Sequence, residues 1–580
     1  MVGAARQSPP PGTTSELATR ARHGSRLTGV TRPLAPIPLA RGTHGAVVAP
    51  HHLASAAGLA ILQAGGNAVD AAIATNAVLA VVNGNACGIG GDAFWLIWDA
   101  ATGREVALNG SGRSSSRADA GALRRSGLDR LPLRGGLTIT VPGAVRSWGD
   151  AHERYGRLPR TDLLAPAIVL AEEGFPAWDG FISAVENGAR AFERALGRDA
   201  AWFSVYRPHD RPWRPGERIR LPALAATLRR IAANGWDEFY GGRTAELQCV
   251  ALAAAGSAIA ADDLTAHAST WTEPIATDYR GVTVTTHPPN SSGFVALEIL
   301  DILERFDPPD AATFADGLGA DVGWIHLGIE ASKLAMADRD AHLTDPDTHR
   351  APLERLLANE HAAEQAARID PLRASQAVPA TVPRGGGTIW LGVVDGAGNA
   401  VSLIESNYMG FGSGVVDPAT GITYQNRGSF FSLDPDHPNV LAAAKRTLHT
   451  LLPGMLFRNG RPWVVVGSMG GDAQPQIHAQ VVSGLVDGRL DVASAIGMPR
   501  WFVEPEEHFA PPDLVRAEPR FRPGVLEGLA AMGHPLKPTE PFSGLLGHCH
   551  AIELVDGGPA DGGTLAAATD PRSAGLPATW

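Results

Sequence analysis

Residues 384–406 read RGGGTIWLGVVDGAGNAVSLIES: three glycines, a threonine, and two apolar, β-branched runs around a turn-forming DGAGN. The runs predict two strands, and residues 395–399 fold them into a hairpin that holds Thr388 at the buried end of a sheet. Upstream, Gly385, Gly386 and Gly387 permit backbone conformations closed to other residues, and Gly387 presents a carbonyl that no side chain shields. Attack of the Thr388 hydroxyl on that carbonyl would exchange the amide for an ester. Hydrolysis of the ester would then leave Thr388 as a new N-terminal residue. Such a residue carries a nucleophile and a base together, because a free α-amine titrates at roughly 7.7–8.0, lower when partly buried, and can take the hydroxyl proton. The same letters also fit a flexible loop entering a strand, and four residues do not separate the two readings.

Composition narrows the field. The 580-residue chain is 44% hydrophobic and 19% charged, enough apolar surface for a large core. A formal net charge of −11 and a pI near 5.9 leave no basic stripe for nucleic acid and no polybasic segment for an anionic membrane, so the expected partner is a small molecule. Cys87, Cys249 and Cys549 are odd in number and far apart, which excludes a disulfide framework and suits a reducing cytoplasm. Residues 1–42, rich in Arg, Pro, Ser and Gly, read as a mobile extension without the apolar core of a signal peptide. The most apolar run, residues 68–91, is interrupted by Asp70, Asn76, Asn83 and Asn85, and predicts a buried helix entering a glycine-rich loop rather than a membrane span.

Helical periodicity dominates to about residue 370, with strand-like AFWLIW and GVTVTTH between. Residues 374–387 read as a linker, and beyond it come strand-like TIWLGVVD, AVSLIES, GITYQN and WVVVGS. No G-x-S-x-G elbow, H-E-x-x-H helix or phosphate-binding G-x-x-x-x-G-K-[ST] occurs. Histidines 51 and 52, and 548 and 550, lack a second cluster at ligand spacing, so no metal and no cofactor is expected. The glycines Gly88, Gly90 and Gly91 follow a helix rather than a strand, against a dinucleotide loop.

Several ordered motifs, GTIWLGVVDGAGNAVSLIESNYMGFGSGVV, GITYQNRGSFFSLDP, KRTLHTLLPGML and GSMGGD, resemble the small subunit of the γ-glutamyltransferase family. GNAVDAAIATNAVLAVV, GIGGDAFWLI, VPGAVRSW, PPNSSGFVALEILDILE and ADRDAHLTDPD resemble its large subunit, so the likeness runs from about residue 43 to the end. The resemblance implies an α+β fold, the four-layer αββα sandwich of the N-terminal-nucleophile hydrolases. It implies autocleavage between Gly387 and Thr388, a large subunit of residues 43–387 and a small subunit of residues 388–580 held as a heterodimer, with pairing of heterodimers left open. Thr388 becomes the nucleophile, Ser406 the hydroxyl that supports its amine, and Gly470 and Gly471 the backbone donors of an oxyanion hole.

The departures from the family pattern concern the substrate. Ser111 stands at the family's carboxylate-gripping arginine, with Arg113 two residues on; Phe430 stands where an aspartate holds the amino group; His449 and Thr450 replace paired serines; and Arg427 and Gly428 replace neighbouring polar residues. Arg427, Arg113, His449, Thr450, Tyr408 and Phe430 are therefore the expected pocket residues. Exchanging acidic partners for cations favours a small acidic acyl group over a zwitterion. The pattern resembles the oxamate amidohydrolase branch, and implies an amidohydrolase working through an acyl-enzyme; a cytoplasmic location is expected from the missing signal peptide and the cysteines. The alternatives are a γ-glutamyltransferase or glutathione hydrolase, a biosynthetic relative that cleaves an acyl carbon–carbon bond, and an inactive binding homologue.

Overall fold

The hairpin at residues 387–408 forms the middle of a seven-stranded sheet in a computed structural model that describes residues 38–375, 386–505, 508 and 513–580. Its turn closes through Asp395 N–H to Asn399 O at 3.0 Å, with Gly398 at φ 84°. The Asp395 carboxylate also accepts from the first N–H of a helix, Ala68 N, at 3.0 Å, and so fixes the helix Ala68–Val82 on the hairpin. That helix is buried along its whole length and starts from a capping box between Asn67 and Asp70, as expected of residues 68–91.

The strand Gly387–Asp395 is buried at every residue because both its faces are covered. Ile389, Leu391 and Val393 join one core cluster, and Trp390 and Val394 another. The first sheet runs in the order Ala578–Thr579, Gly45–Val48, Gly387–Asp395, Ala400–Tyr408, Asp92–Asp99, Arg104–Gly110, Thr270–Thr272, antiparallel throughout. The second is also antiparallel, in the order Ala40–Gly42, Thr564–Ala568, Cys549–Val555, Arg461–Ser468, Gly454–Arg458, Val282–Thr286, Ile275–Tyr279. Phe94, Leu96, Trp390, Ile404, Met455, Val465 and Ile552 fill the space between the sheets. Trp390 reaches furthest: its indole lies where a Cβ on Gly467 would be, and its Nε1 donates to Ser402 Oγ at 3.0 Å.

Outside the first sheet, Ala72, Ile73 and Leu79 of the buried helix pack with Trp95, Leu391 and Leu403. Outside the second, the helices Gly293–Leu303, Val322–His342 and Gln474–Val486 pack on Leu456, Val464 and Val466. These layers make the four-layer αββα sandwich of the expected α+β class.

Two local expectations change. GITYQN is no strand: it makes isolated bridges only, Gly90 to Tyr424 and Val416 to Thr423, because Gly421 at φ 73° turns the chain against Leu224. Ala40–Gly42, placed with the N-terminal extension, pairs with Thr564–Ala568, its backbone groups completing a sheet edge. Residues 1–37 of that extension and residues 376–385 of the expected linker lie outside the described residues. Among the described residues, no helix is long and apolar enough to cross a membrane.

Candidate active site

Thr388 is the second residue of its strand and is 2% exposed. Opposite it the ladder changes register, from Ile389 facing Glu405 to Gly387 facing Tyr408. Ser406 thus lies across from Thr388, Asn407 is the extra residue of a bulge, and Tyr408 takes φ 72°. The bulge aims two hydroxyls at one point. Thr388 Oγ1 donates to Ser406 Oγ at 3.1 Å, Tyr408 N–H donates to the same oxygen at 2.7 Å, and Ser406 O–H donates to Gly387 O at 2.6 Å. A hydroxyl on Ser406 therefore touches both the candidate nucleophile and the carbonyl before it.

Gly470 and Gly471 follow the strand Arg461–Ser468 at φ 148° and φ 57°, conformations that suit glycine. They lie directly against the chain entering Thr388: a Cβ on Gly386 would stand 2.7 Å from Gly471 Cα and 2.8 Å from its N. The next residue, Asp472, is gripped by Arg339 Nη1 at 2.6 Å, and Arg339 also pairs with Asp340 at 2.7 Å. This buried arginine anchors the glycine turn to the helix Val322–His342.

Arg427 is 1% exposed. Its guanidinium carbon lies 4.5 Å from the centre of the Tyr408 ring and 5.2 Å from that of Phe430, and the two rings pack 4.4 Å apart. Nη1 donates to Thr450 Oγ1 at 3.2 Å, while Nη2 is buried without a hydrogen-bond partner among the described residues. Burial lowers the Arg427 pKa to about 10, with Asp92, Tyr408 and Asp472 opposing the shift, so the group stays cationic at neutral pH. The expected pocket residues Tyr408, Arg427, Phe430 and Thr450 thus form one cluster, joined to Thr388 through Ser406.

His449 and Arg113 are placed differently. His449 is fully buried against Phe94, its Nε2 3.2 Å from Asp92 Oδ2; burial, with Arg427 and His287 adding, pushes its pKa well down. Arg113 is held by Asp345 at 2.8 Å, Asp347 at 2.6 Å and the Ala444 carbonyl at 3.1 Å, so its charge is already matched. Ser111 donates to Asn109 Oδ1 at 2.6 Å within a buried polar network that includes Asn290.

Asp92 was not singled out in the sequence. It pairs with Ser406 in the sheet register, accepts from Gly112 N–H at 2.9 Å, and burial raises its pKa to about 6 against the pull of Arg427. Beneath it Glu405 accepts from Gly88 N–H and Asn76 Nδ2, both at 2.7 Å. That contact explains the glycine-rich loop: a Cβ on Gly91 would crowd Ser406 O at 2.7 Å and Glu405 Oε1 at 2.8 Å. The only sequence signal for Asp92 was its place directly after Gly90 and Gly91 at a strand start.

Known proteins resemble this chain along most of its length. The family model described as gamma-glutamyltranspeptidase matches residues 54–580. The Glutathione hydrolase-like YwrD proenzyme of Bacillus subtilis (strain 168) is 39% identical, covering 92% of this chain and 98% of its own. The Oxamate amidohydrolase proenzyme of Klebsiella pneumoniae subsp. pneumoniae is also 39% identical, covering 93% and 99%. Among solved structures, the cephalosporin acylase from Bacillus halodurans superposes with a TM-score of 0.87 at 37% identity, covering 95% of this chain and 98% of the other. Fold and relatives converge: this chain belongs to the gamma-glutamyltranspeptidase family and is an N-terminal-nucleophile amidohydrolase.

Proposed function

We propose that the chain cleaves itself between Gly387 and Thr388 and then hydrolyses a small amide whose acyl group carries a carboxylate, of the oxamate kind. The observation that carries the substrate reading is the buried, cationic Arg427 with Nη2 unengaged beside the aromatic pair Tyr408 and Phe430. A buried guanidinium N–H left without an acceptor is costly, and a carboxylate that bonds Nη2 would offset that cost.

In maturation, Thr388 Oγ attacks the Gly387 carbonyl carbon as its proton passes toward Ser406, and the Ser406 O–H stabilises the charge growing on Gly387 O. The carbon–nitrogen bond breaks, the nitrogen takes a proton, and water hydrolyses the resulting ester to a Gly387 carboxylate and a free Thr388 amine. In turnover the same oxygen attacks the substrate amide with that amine as base. Gly470 and Gly471 N–H groups receive the oxyanion, the amine returns a proton to the leaving nitrogen, and water releases the acyl group.

The test is a parallel assay of oxamate, an N-oxalyl amide and a γ-glutamyl anilide with the wild type and Arg427→Ala. The expected result is preferential turnover of the oxalyl compounds. Arg427→Ala should lower their kcat/KM by ~10–150-fold, the worth of ~1.5–3 kcal/mol for a charged hydrogen bond. Fast γ-glutamyl turnover unaffected by Arg427→Ala would restore a glutathione-hydrolase reading.

A further inference from the structure

Three helices, Gly293–Leu303, Val322–His342 and Asn359–Ala366, bring Glu298, Asp338 and His361 together. His361 Nε2 lies 3.3 Å from Glu298 Oε1 and 3.1 Å from Asp338 Oδ2. Gln365 Nε2 stands 3.2 Å from the same imidazole nitrogen and 2.7 Å from Asp338 Oδ2. One imidazole nitrogen carries at most one proton and cannot donate to both carboxylates. Glu298 is 0% exposed, and its second oxygen, Oε2, is buried with no hydrogen-bond partner among the described residues.

We propose that Glu298, Asp338 and His361 bind a zinc ion, through one oxygen of each carboxylate and through His361 Nε2. Tetrahedral zinc with bonds of about 2.0–2.2 Å separates its ligands by ~3.3–3.6 Å, close to the spacings around His361, and the candidate ligand atoms all lie within 4.8 Å of one another. Gln365 steadies Asp338 as an outer partner, and water completes the coordination. No local spacing reveals this set, because its members are 40 and 23 residues apart on separate helices.

The role assigned is structural. The ion would tie the last helix before the cleavage segment to the helix Val322–His342, whose Arg339, next to Asp338, grips Asp472 beside the glycine turn. This inference does not depend on the substrate assigned above.

The test is calorimetric titration of ZnCl2 into the full-length, chelator-stripped protein, with metal analysis and thermal melts. Expected are one zinc per chain and a higher Tm on loading, with affinity at least tenfold weaker in His361→Gln and Glu298→Gln. Asp338→Asn keeps the side-chain shape and serves if either variant fails to fold. No binding to the folded wild type would overturn the proposal. So would binding that survives all three substitutions, or that is lost instead in His534→Gln, which would place the ion at the neighbouring cluster of His326, Glu330 and His534.

Discussion

At Ser406 one hydroxyl accepts a hydrogen bond from Thr388 Oγ1 and donates one to the Gly387 carbonyl, the group our proposal has under attack. Its loss should therefore affect self-cleavage before anything else. Ser406→Ala is expected to slow fragment formation on a denaturing gel by ~10²–10³-fold, the usual effect of removing one oxyanion donor. Cleavage at the wild-type rate would remove Ser406 from the chemistry. Thr388→Ala should yield a folded, intact, inactive chain, because it deletes the attacking oxygen and only a methyl-sized apolar contact. Thr388→Ser should cleave and turn over slowly, since the hydroxyl remains but its rotamer is less restrained. Mass spectrometry of a cut, active Thr388→Ala would reject the assignment. The buried strand start at Thr388, directly after glycines, was legible in the sequence; its role as nucleophile is our proposal. Asp92 was not legible, since its tie to Ser406 comes from strand register across more than 300 residues of chain, and register is decided by packing.

The hairpin strand and the glycine turn meet at Gly386, where there is no room for a methyl group. Gly386→Ala should push Gly471 away from the scissile carbonyl and slow maturation by more than tenfold. Once cut, Gly386 belongs to the other fragment, so the processed fraction should retain near-normal kcat. Equal losses in both rates would show that the turn is damaged permanently. Strands such as TIWLGVVD, AVSLIES and WVVVGS were readable because apolar, β-branched runs between turn residues have few alternatives. GITYQN has the same composition, yet its backbone is held by Gly90 and the loop around Leu224, partners no local pattern reveals. Arg113 and Arg427 looked alike in the sequence; the aspartates that neutralise Arg113 lie on another segment, more than 200 residues away.

Over the whole molecule, two sets of buried groups set opposite pH limits. Burial lowers His51, His267, His478 and His550 to about 3 from an ordinary 6.5. The stability they contribute is complete above 6.5 and is lost as pH falls toward 3, because the unfolded chain binds the protons. Burial raises Glu105 and Glu405 to about 8 from 4.5; their contribution is complete below 4.5 and is lost as pH rises through 8. With more histidines than glutamates, Tm should peak near ~6.5, the unfolded histidine value. Glu105→Gln should flatten the alkaline side, and a Tm still climbing at pH 8.5 would contradict this balance. The interleaved strand order carries a last consequence. In the first sheet the strand that begins at Gly387 lies between Gly45–Val48 and its own hairpin partner, and in the second the strands of residues 454–568 are bordered on both sides by strands from before the proposed cut. Severing the chain at Gly387 changes its covalent count but opens no seam along which the pieces could part. Diluting the processed enzyme to nanomolar concentration should leave one particle of unchanged size, and each half expressed alone should have no native shape to return to.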